Sequence, residues 1–297
     1  MSKNQIKQLI KSRANQDGLT ETGIQGVRLF QATQAIPCIP VVYEPCIVAI
    51  VSGTKEAVLD GRRHIYDDRQ YLCCPMSMPV KAGTPTASPD NPLYGVFISL
   101  DQRAMTELAF EMENAGEVLP ATNEGLRVDG IKMAKWDTRF TDALLRLLQL
   151  GANPTDTAVL GDARLRELYY AILQGEAGIF ARHAFGAGNA IARSIAHVSS
   201  HLDAPISIHD MATRAGMSRA VFHRKFKEVT TMAPIQFVKS MRLNTAAMKI
   251  AGGMTVNTAA MQVGYVSTSQ FSREFKRMYG QSPRRWRDDH QVAIGDN

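Results

Sequence analysis

The chain has 297 residues, more than one small domain needs and enough for two. Hydrophobic residues make up 45% and charged residues 21%, as in ordinary soluble globular proteins. No apolar run approaches the roughly 18 residues that span a bilayer, which excludes a helical membrane protein. The net charge of +6 is one-sided: residues 187–297 hold 15 Lys and Arg against 7 Asp and Glu, and the remainder is net acidic by two. Lys and Arg neutralise phosphates, so this asymmetry favours a nucleic-acid partner for the C-terminal part. Residues Met1 to Lys7 lack the apolar segment of a signal peptide, so the expected location is the cytoplasm.

Residues 1–20 read as an exposed helix with Ile6, Leu9 and Ile10 on one side. From Gly26 to about Leu100 the texture changes to short strands. Residues 29–33, 47–51, 55–59, 63–66, 70–74 and 94–100 are apolar or alternating runs separated by Gly, Pro and Asp. Asp60-Gly61, between two of these runs, is a two-residue hairpin signal. Pro75, Pro79, Pro85, Pro89 and Pro92 make the region rich in loops. Short antiparallel strands of even spacing predict a barrel or a double-sheet jelly roll.

All four cysteines, Cys38, Cys46, Cys73 and Cys74, fall in this region. In a cytosolic chain they are expected as free thiols, and no C-x-x-C pair is available for zinc. Two roles stay open for them: small core residues, or exposed low-pKa thiolates that sense oxidants or electrophiles. His64 is the one histidine of the region, and a single imidazole cannot assemble the multi-histidine metal site of a barrel enzyme. Cys46, His64, Cys73 and Cys74 are therefore the candidate effector or redox residues. The chain has no G-x-x-x-x-G-K-[ST] phosphate loop and no G-x-S-x-G elbow. No catalytic residue can be named, and neither enzyme activity, a cofactor nor a metal is expected.

From Gln102 the pattern turns helical. Phe140, Leu144, Leu147 and Leu148 form one apolar stripe, and Leu165, Leu168, Tyr169, Ile172 and Leu173 form another. Each stripe either covers the strands or meets a second copy of the chain. Gly175, Gly178, Gly186 and Gly188 mark a helix end and a linker. Asn189 to Leu202 is the expected first helix of the next domain, closed by Asp203-Ala204-Pro205.

Residues 205–286 contain one small unit twice. Ala212, Ala215, Gly216, Phe222, Phe226, Pro234 and Phe237 are matched in order by Ala260, Val263, Gly264, Phe271, Phe275, Pro283 and Trp286, with one residue added after the second glycine. Each copy reads as helix, glycine turn, helix. Gly216 and Gly264 can take positive φ at a helix end. Ser218 and Ser267 are the N-caps that follow, with Gln270 at capping-box spacing from Ser267. Phe222 and Phe226, like Phe271 and Phe275, are four apart and share a buried face. The outer face carries Arg219, His223, Arg224 and Lys227 in the first copy. In the second it carries Thr268, Ser269, Ser272, Arg273, Lys276 and Arg277. This is helix-turn-helix geometry, whose second helix fits the major groove of DNA. Arg224 and Arg273 can pair with guanine through two bonds, and Gln270 can do the same with adenine.

Three motifs, A-x-x-A-G-M-S-x-x-x-F-x-R-x-F-K, M-R-L-N-x-A and V-G-Y-x-S-x-S-x-F-S-R-x-F-K-R-x-Y-G-x-S-P, make about a hundred residues resemble the DNA-binding domain of AraC/XylS-family bacterial transcription regulators. The resemblance implies base contacts at Ala220, His223 and Arg224 and at Thr268, Ser269, Gln270, Ser272 and Arg273. Ser218, Ser267, Lys227, Lys276 and Arg277 would serve phosphates. Residues Val42 to Gly53, Asp67 to Val80 and Ala87 to Val96 are similar to the cupin-like N-terminal domain of one subgroup of that family. This chain departs from that subgroup at Cys46, after Glu-Pro, and at Cys73-Cys74.

The expected protein is an α+β chain of two domains. Residues 1–186 would form a cupin-like β barrel or jelly roll with helices, for sensing and dimerisation. Residues 187–297 would form an all-α domain with helix-turn-helix units at 208–230 and 256–279. The expected function is transcription regulation, with activation as its sign, through promoter DNA, a small effector, RNA polymerase and a homodimer, and with no membrane partner. The alternatives are a thiol- or electrophile-sensing regulator, and a barrel enzyme or binding protein with a vestigial helical tail.

Overall fold

The computed structural model describes residues 2–14, 16–116, 130–186 and 189–291; Gly188 of the expected linker lies outside them. Two compact units result. The first holds residues up to Cys38, Glu44–Met76 and Ala82–Asn189. The second holds the chain from Ala190 together with two strand segments, Ile39–Tyr43 and Ser77–Lys81.

The chain opens with α1 (Ser2–Arg13) and continues through nine strands, of which most of β3 and the start of β8 belong to the second unit: β1 (Gly18–Glu21), β2 (Val27–Ala32), β3 (Ile36–Tyr43), β4 (Cys46–Ser52), β5 (Lys55–Leu59), β6 (Arg62–Tyr66), β7 (Gln70–Cys74), β8 (Met78–Thr84) and β9 (Leu93–Ser99). Then come α2 (Gln102–Asn114), β10 (Lys132–Lys135), α3 (Thr138–Leu150), α4 (Pro154–Gln174) and α5 (Gly178–Phe185). The strands form two sheets, ordered β1-β2-β9-β4-β7-β10 and β3-β8-β5-β6. Among the described residues the sheets do not close into a barrel, one of the two expected forms, because each ends on its own edge strands. β3 carries Pro37 and Pro40, and an edge strand tolerates proline because its outer side needs no N–H donor.

The expected hairpin at Asp60-Gly61 forms, with φ of 47° and 77° at the two turn residues. Its register pairs Lys55 with Tyr66, Ala57 with His64 and Leu59 with Arg62. Strand alternation splits the large sheet into two faces. Val27, Leu29, Ile47, Ala49, Tyr71, Cys73, Val96 and Ile98 join the core that packs against the helices. Asp137 caps α3 by accepting the Phe140 N–H at 2.8 Å, and the Phe140 ring then stacks on Tyr71 at 4.3 Å. Asn153 caps α4, with Pro154 in its first turn.

Both apolar stripes are spent inside the first unit. Phe140, Leu144, Leu147, Leu148, Leu168, Tyr169, Ile172 and Leu173 are all buried in the core, with Leu165 packed against it. Burying each large side chain contributes about 1.5–3 kcal/mol. The expected alternative use of these stripes, as a surface for a second copy, is therefore closed to them.

Apart from those two strand segments, the second unit is helical: α6 (Ala190–Ser200), α7 (Ile208–Arg214), α8 (Arg219–Thr230), α9 (Pro234–Ala251), α10 (Val256–Gln262), α11 (Thr268–Tyr279) and α12 (Pro283–Gln291). α9 runs 18 residues, about 27 Å at 1.5 Å per residue. One aromatic cluster joins Phe226 to Phe222 at 5.4 Å and to Phe237 of α9 at 5.2 Å. A second joins Phe271, Phe275 and Trp286 to Leu243, Ala246, Ala247 and Ile250 of α9. The Trp286 indole N–H donates to the Ala247 carbonyl at 3.2 Å, so the large ring is buried without an orphan donor. Asn244 is 3% exposed and fully used. Its amide donates to the carbonyls of Val41 at 2.8 Å and Val80 at 3.0 Å, and its oxygen accepts from the Tyr279 hydroxyl at 2.7 Å.

Candidate nucleic-acid interface

The repeated unit is built twice by the same bonds. In the first copy the Met217 N–H reaches back to the Ala212 carbonyl at 3.0 Å and the Gly216 N–H to Thr213 at 3.0 Å. In the second the Tyr265 N–H reaches Ala260 at 3.0 Å and the Gly264 N–H reaches Met261 at 3.0 Å. Both turns depend on positive φ, 65° at Gly216 and 81° at Gly264. The added residue of the second copy is Val266, which projects fully into solvent.

A hydroxyl caps each of the four helices. Ser207 accepts from the Asp210 N–H at 3.0 Å and Ser218 from Val221 at 3.4 Å. Thr255 accepts from Thr258 at 3.2 Å and Ser267 from Gln270 at 3.3 Å. Ser218 and Ser267 thus orient α8 and α11, and each keeps an O–H to donate to a phosphate. The side chain of Gln270 does not return to close a capping box; its amide donates forward to Glu274 at 3.4 Å.

The two second helices present the predicted residues outward. Arg219, Ala220, His223, Arg224 and Lys227 are exposed on α8, opposite or beside the buried Phe222 and Phe226. Thr268, Ser269, Gln270, Arg273, Lys276 and Arg277 are exposed on α11, and Ser272 is half-buried. Ala220 and Arg224 lie one turn apart on α8, as do Ser269 and Arg273 on α11, so each helix aims an arginine away from its aromatic face. Arg224 has a long contact to Glu228 at 3.8 Å, both side chains being largely in solvent, which leaves the guanidinium available. Thr268 is less available, because its hydroxyl donates to Asn257 of α10 at 2.8 Å and ties the two helices of the unit together.

Other residues hold these helices in place without facing outward. Glu274 accepts from the Tyr265 hydroxyl at 2.8 Å and from Lys239 of α9 at 3.2 Å. Burial alone would raise its pKa. Bonds from Tyr265, Lys239 and Gln270, together with the Lys239 charge, outweigh burial and hold it below the ordinary value. Arg242 of α9 donates to the carbonyls of Leu202 at 3.0 Å and Ala204 at 2.7 Å, fixing the segment between α6 and α7. Sequence reading missed Asn257, Glu274, Lys239 and Arg242. The one available signal was that Glu274 and Arg242 interrupt otherwise apolar helix faces.

The C-terminal ends of α8 and α11 differ in one respect. Both close on a left-handed residue, Gly280 at φ 78° for α11 and Thr231 at φ 65° for α8. A β-branched residue is strained there, and the Thr231 hydroxyl is buried without a hydrogen-bond partner. Thr231→Gly is expected to stabilise the helical unit by about 1 kcal/mol, read as a higher urea midpoint at unchanged slope.

The candidate effector or redox residues lie in the first unit. Cys46, Cys73 and Cys74 are completely buried. Burial, followed by neighbouring thiols, pushes the Cys46 and Cys73 thiols up, and the Cys74 thiol donates to the Met76 carbonyl at 3.1 Å. A thiol sensor needs an accessible thiolate, so these three are core residues and the redox reading of them fails. Cys38 is half-buried, and burial followed by the Glu56 charge raises it too. His64 is half-buried, on the same face of the β5–β6 hairpin as Lys55 and Tyr66. Among the described residues no group of three or more His, Cys, Asp or Glu converges as a metal site would, and no helix is long and apolar enough to cross a membrane.

Comparison with known proteins agrees with this geometry. A family profile described as "AraC-type transcriptional regulator N-terminus" matches residues 23–180, and one described as "Helix-turn-helix domain" matches residues 211–289. Regulatory protein SoxS of Escherichia coli K12 is 32% identical over 94 residues, covering 31% of this chain and 88% of SoxS. The probable transcriptional regulator LumQ of Photobacterium leiognathi is 32% identical over 91 residues, covering 30% of this chain and 37% of LumQ. Among solved structures, an apo variant of ToxT from Vibrio cholerae superposes with a TM-score of 0.60 at 12% identity, over 89% of this chain and 97% of that one. A ToxT structure with an unsaturated fatty acid bound gives 0.56 at 14% identity, over 88% and 94% of the two chains. At such identities the likeness to ToxT is one of fold: a sheet-rich N-terminal part and a helical C-terminal part. The N-terminal profile alone spans more than half of the sequence, and the chain belongs to the AraC-type transcriptional regulators, DNA-binding proteins that control transcription.

Proposed function

We propose that α8 and α11 are the reading helices of this regulator, each entering a major groove of promoter DNA. One observation carries the proposal: the same hydrogen-bonded glycine turn, serine cap and buried phenylalanine pair occur twice, and each copy turns an exposed basic face outward. Ala220, His223 and Arg224 on α8, and Ser269, Gln270, Ser272 and Arg273 on α11, are the proposed base readers. Thr268 has a smaller share because Asn257 holds its hydroxyl. Arg219, Lys227, Lys276 and Arg277, with the O–H groups of Ser218 and Ser267, serve phosphates. Arg273→Ala is expected to weaken the cognate complex by about 1–3 kcal/mol and to relax specificity at one base pair. Fluorescence anisotropy on a set of singly substituted target duplexes reads both effects. An equal loss on every duplex would reassign Arg273 to the phosphate backbone.

The functional division proposed is sensing by residues 1–186 and DNA reading by residues 187–297. Solved ToxT structures contain a fatty acid and a naphthalenyl butenoic acid, which supports reading the cupin-like two-sheet unit here as the seat of a small effector. Effector binding would shift the population of DNA-competent protein. The protein acts in the cytoplasm, as an activator and a homodimer that contacts RNA polymerase, and without catalytic activity of its own. Phe110, Val159 and Tyr170, exposed on α2 and α4, supply apolar surface for the dimer in place of the buried stripes.

A further inference from the structure

We infer that Val266 is a further specificity-determining residue of this regulator. With the Thr268 methyl it forms an apolar contact, at the leading end of α11, for the C5-methyl group of a thymine. The inference rests on the reading of α11 as a base-reading helix and names one base that it selects.

Val266 is the most exposed of the large apolar side chains among the described residues, whereas Val263 and Tyr265 just before it are buried. It stands directly before Ser267, the N-cap of α11. An apolar residue in that place ordinarily packs back on the fourth residue of its helix. Here that residue is Phe271, and Tyr265 covers it instead, with ring centres 5.2 Å apart. The Val266 isopropyl group therefore contributes nothing to the core of its own domain. The first copy of the repeat has no counterpart: Met217 makes the turn bond that Tyr265 makes in the second copy, and Ser218 follows it at once. Thr268, two residues on, spends its hydroxyl hydrogen on Asn257 at 2.8 Å and keeps its methyl for whatever approaches. The leading end of α11 is thus apolar, ahead of the polar readers Ser269, Gln270 and Arg273. In a helix-turn-helix the N-terminal residues of the second helix are the ones that meet base edges. In the major groove the edges of adenine, guanine and cytosine offer hydrogen-bonding groups, and thymine alone adds a methyl. A side chain without donor or acceptor can favour a base only through that methyl, and covering Val266 with it removes apolar surface from water.

The test uses the full chain and a footprinted duplex from the DNA upstream of its own coding sequence. Each thymine of the duplex is replaced singly by deoxyuridine, which pairs alike but lacks the C5-methyl. Anisotropy is read for the wild type, Val266→Ser, Thr268→Ser and Arg273→Ala. The wild type is expected to lose about three- to fivefold in affinity at one thymine, the worth of one buried methyl. Val266→Ser is expected to bind the thymine and deoxyuridine duplexes alike at that position and to keep the wild-type response at every other. Thr268→Ser, which retains the hydroxyl, is expected to narrow the difference at the same thymine. The unfolding temperature of Val266→Ser is expected to equal that of the wild type, because the side chain is fully exposed. A uniform loss across all duplexes for Val266→Ser would overturn the inference and move the residue to the sugar-phosphate backbone. An unchanged pattern of deoxyuridine responses in Val266→Ser would overturn it as well. Arg273→Ala separates the two levels. If it still relaxes specificity, α11 remains a reading helix and only the role of Val266 falls; if neither variant alters discrimination, both readings fall.

Discussion

Phe271→Ala is expected to cost the helical unit about 3–5 kcal/mol, a large share of the stability of a small domain. The side chain is completely buried, and its ring stands 5.2 Å from Tyr265 and 5.4 Å from Phe275. Through Phe275 the contact passes to Trp286 at 6.0 Å, so one truncation opens a void between α10, α11 and α12. The outer face of α11 is polar and carries the proposed base readers, so its apolar anchorage rests on Phe271 and Phe275, beside the bonds of Thr268, Glu274 and Tyr279. Loss of Phe271 should therefore abolish selective DNA binding although the residue touches no DNA. Urea unfolding of the variant reads the stability change, and Phe271→Leu, which keeps an apolar contact, should lose less. A change below about 1 kcal/mol would mean that α11 is held by something other than this cluster.

The two turn glycines form a second, internally controlled experiment. Gly216→Ala should cost about 1–2 kcal/mol, the expense of placing a Cβ in the left-handed region, since nothing lies within 4 Å of where that atom would go. Gly264→Ala carries the same strain and a collision besides. A Cβ there would stand 2.6 Å from the Leu202 carbonyl oxygen and 2.8 Å from the Arg242 guanidinium. Relief requires breaking or lengthening the Arg242–Leu202 bond, a further loss of about 1 kcal/mol or more. Gly264→Ala should thus be the more destabilising of the pair and should weaken DNA binding further. Equal losses would show that the close approach at Gly264 carries no energetic weight.

What the sequence discloses and what it hides follow from the range of each interaction. Caps, glycine turns and four-apart phenylalanines are local, so Ser218, Gly216, Phe222 and their counterparts could be placed on the right helices from spacing alone. The Asp60-Gly61 hairpin was legible for the same reason. β3 and β8 were not, because Pro37, Pro40 and Pro79 read as loop signals until a sheet edge or strand start accommodates them. The stripes on α3 and α4 announced burial, but periodicity does not say which surface does the covering. It proved to be the helix-facing side of the large sheet. Barrel closure depends on how sheet edges meet, which no strand records by itself. The bonds from Asn257 to Thr268 and from Lys239 and Tyr265 to Glu274 join separate helices, and only tertiary structure displays them.

The most direct test of the account is the affinity of the full chain for the DNA upstream of its own coding sequence, compared with unrelated DNA and titrated with salt. Selective binding is expected, with the logarithm of affinity falling linearly with the logarithm of salt concentration, a slope that flattens by about one on losing a lysine proposed to contact phosphate, such as Lys276, and a selectivity that drops on losing Arg273. Absence of binding at low salt, or binding that fails to distinguish upstream from unrelated DNA, would contradict it.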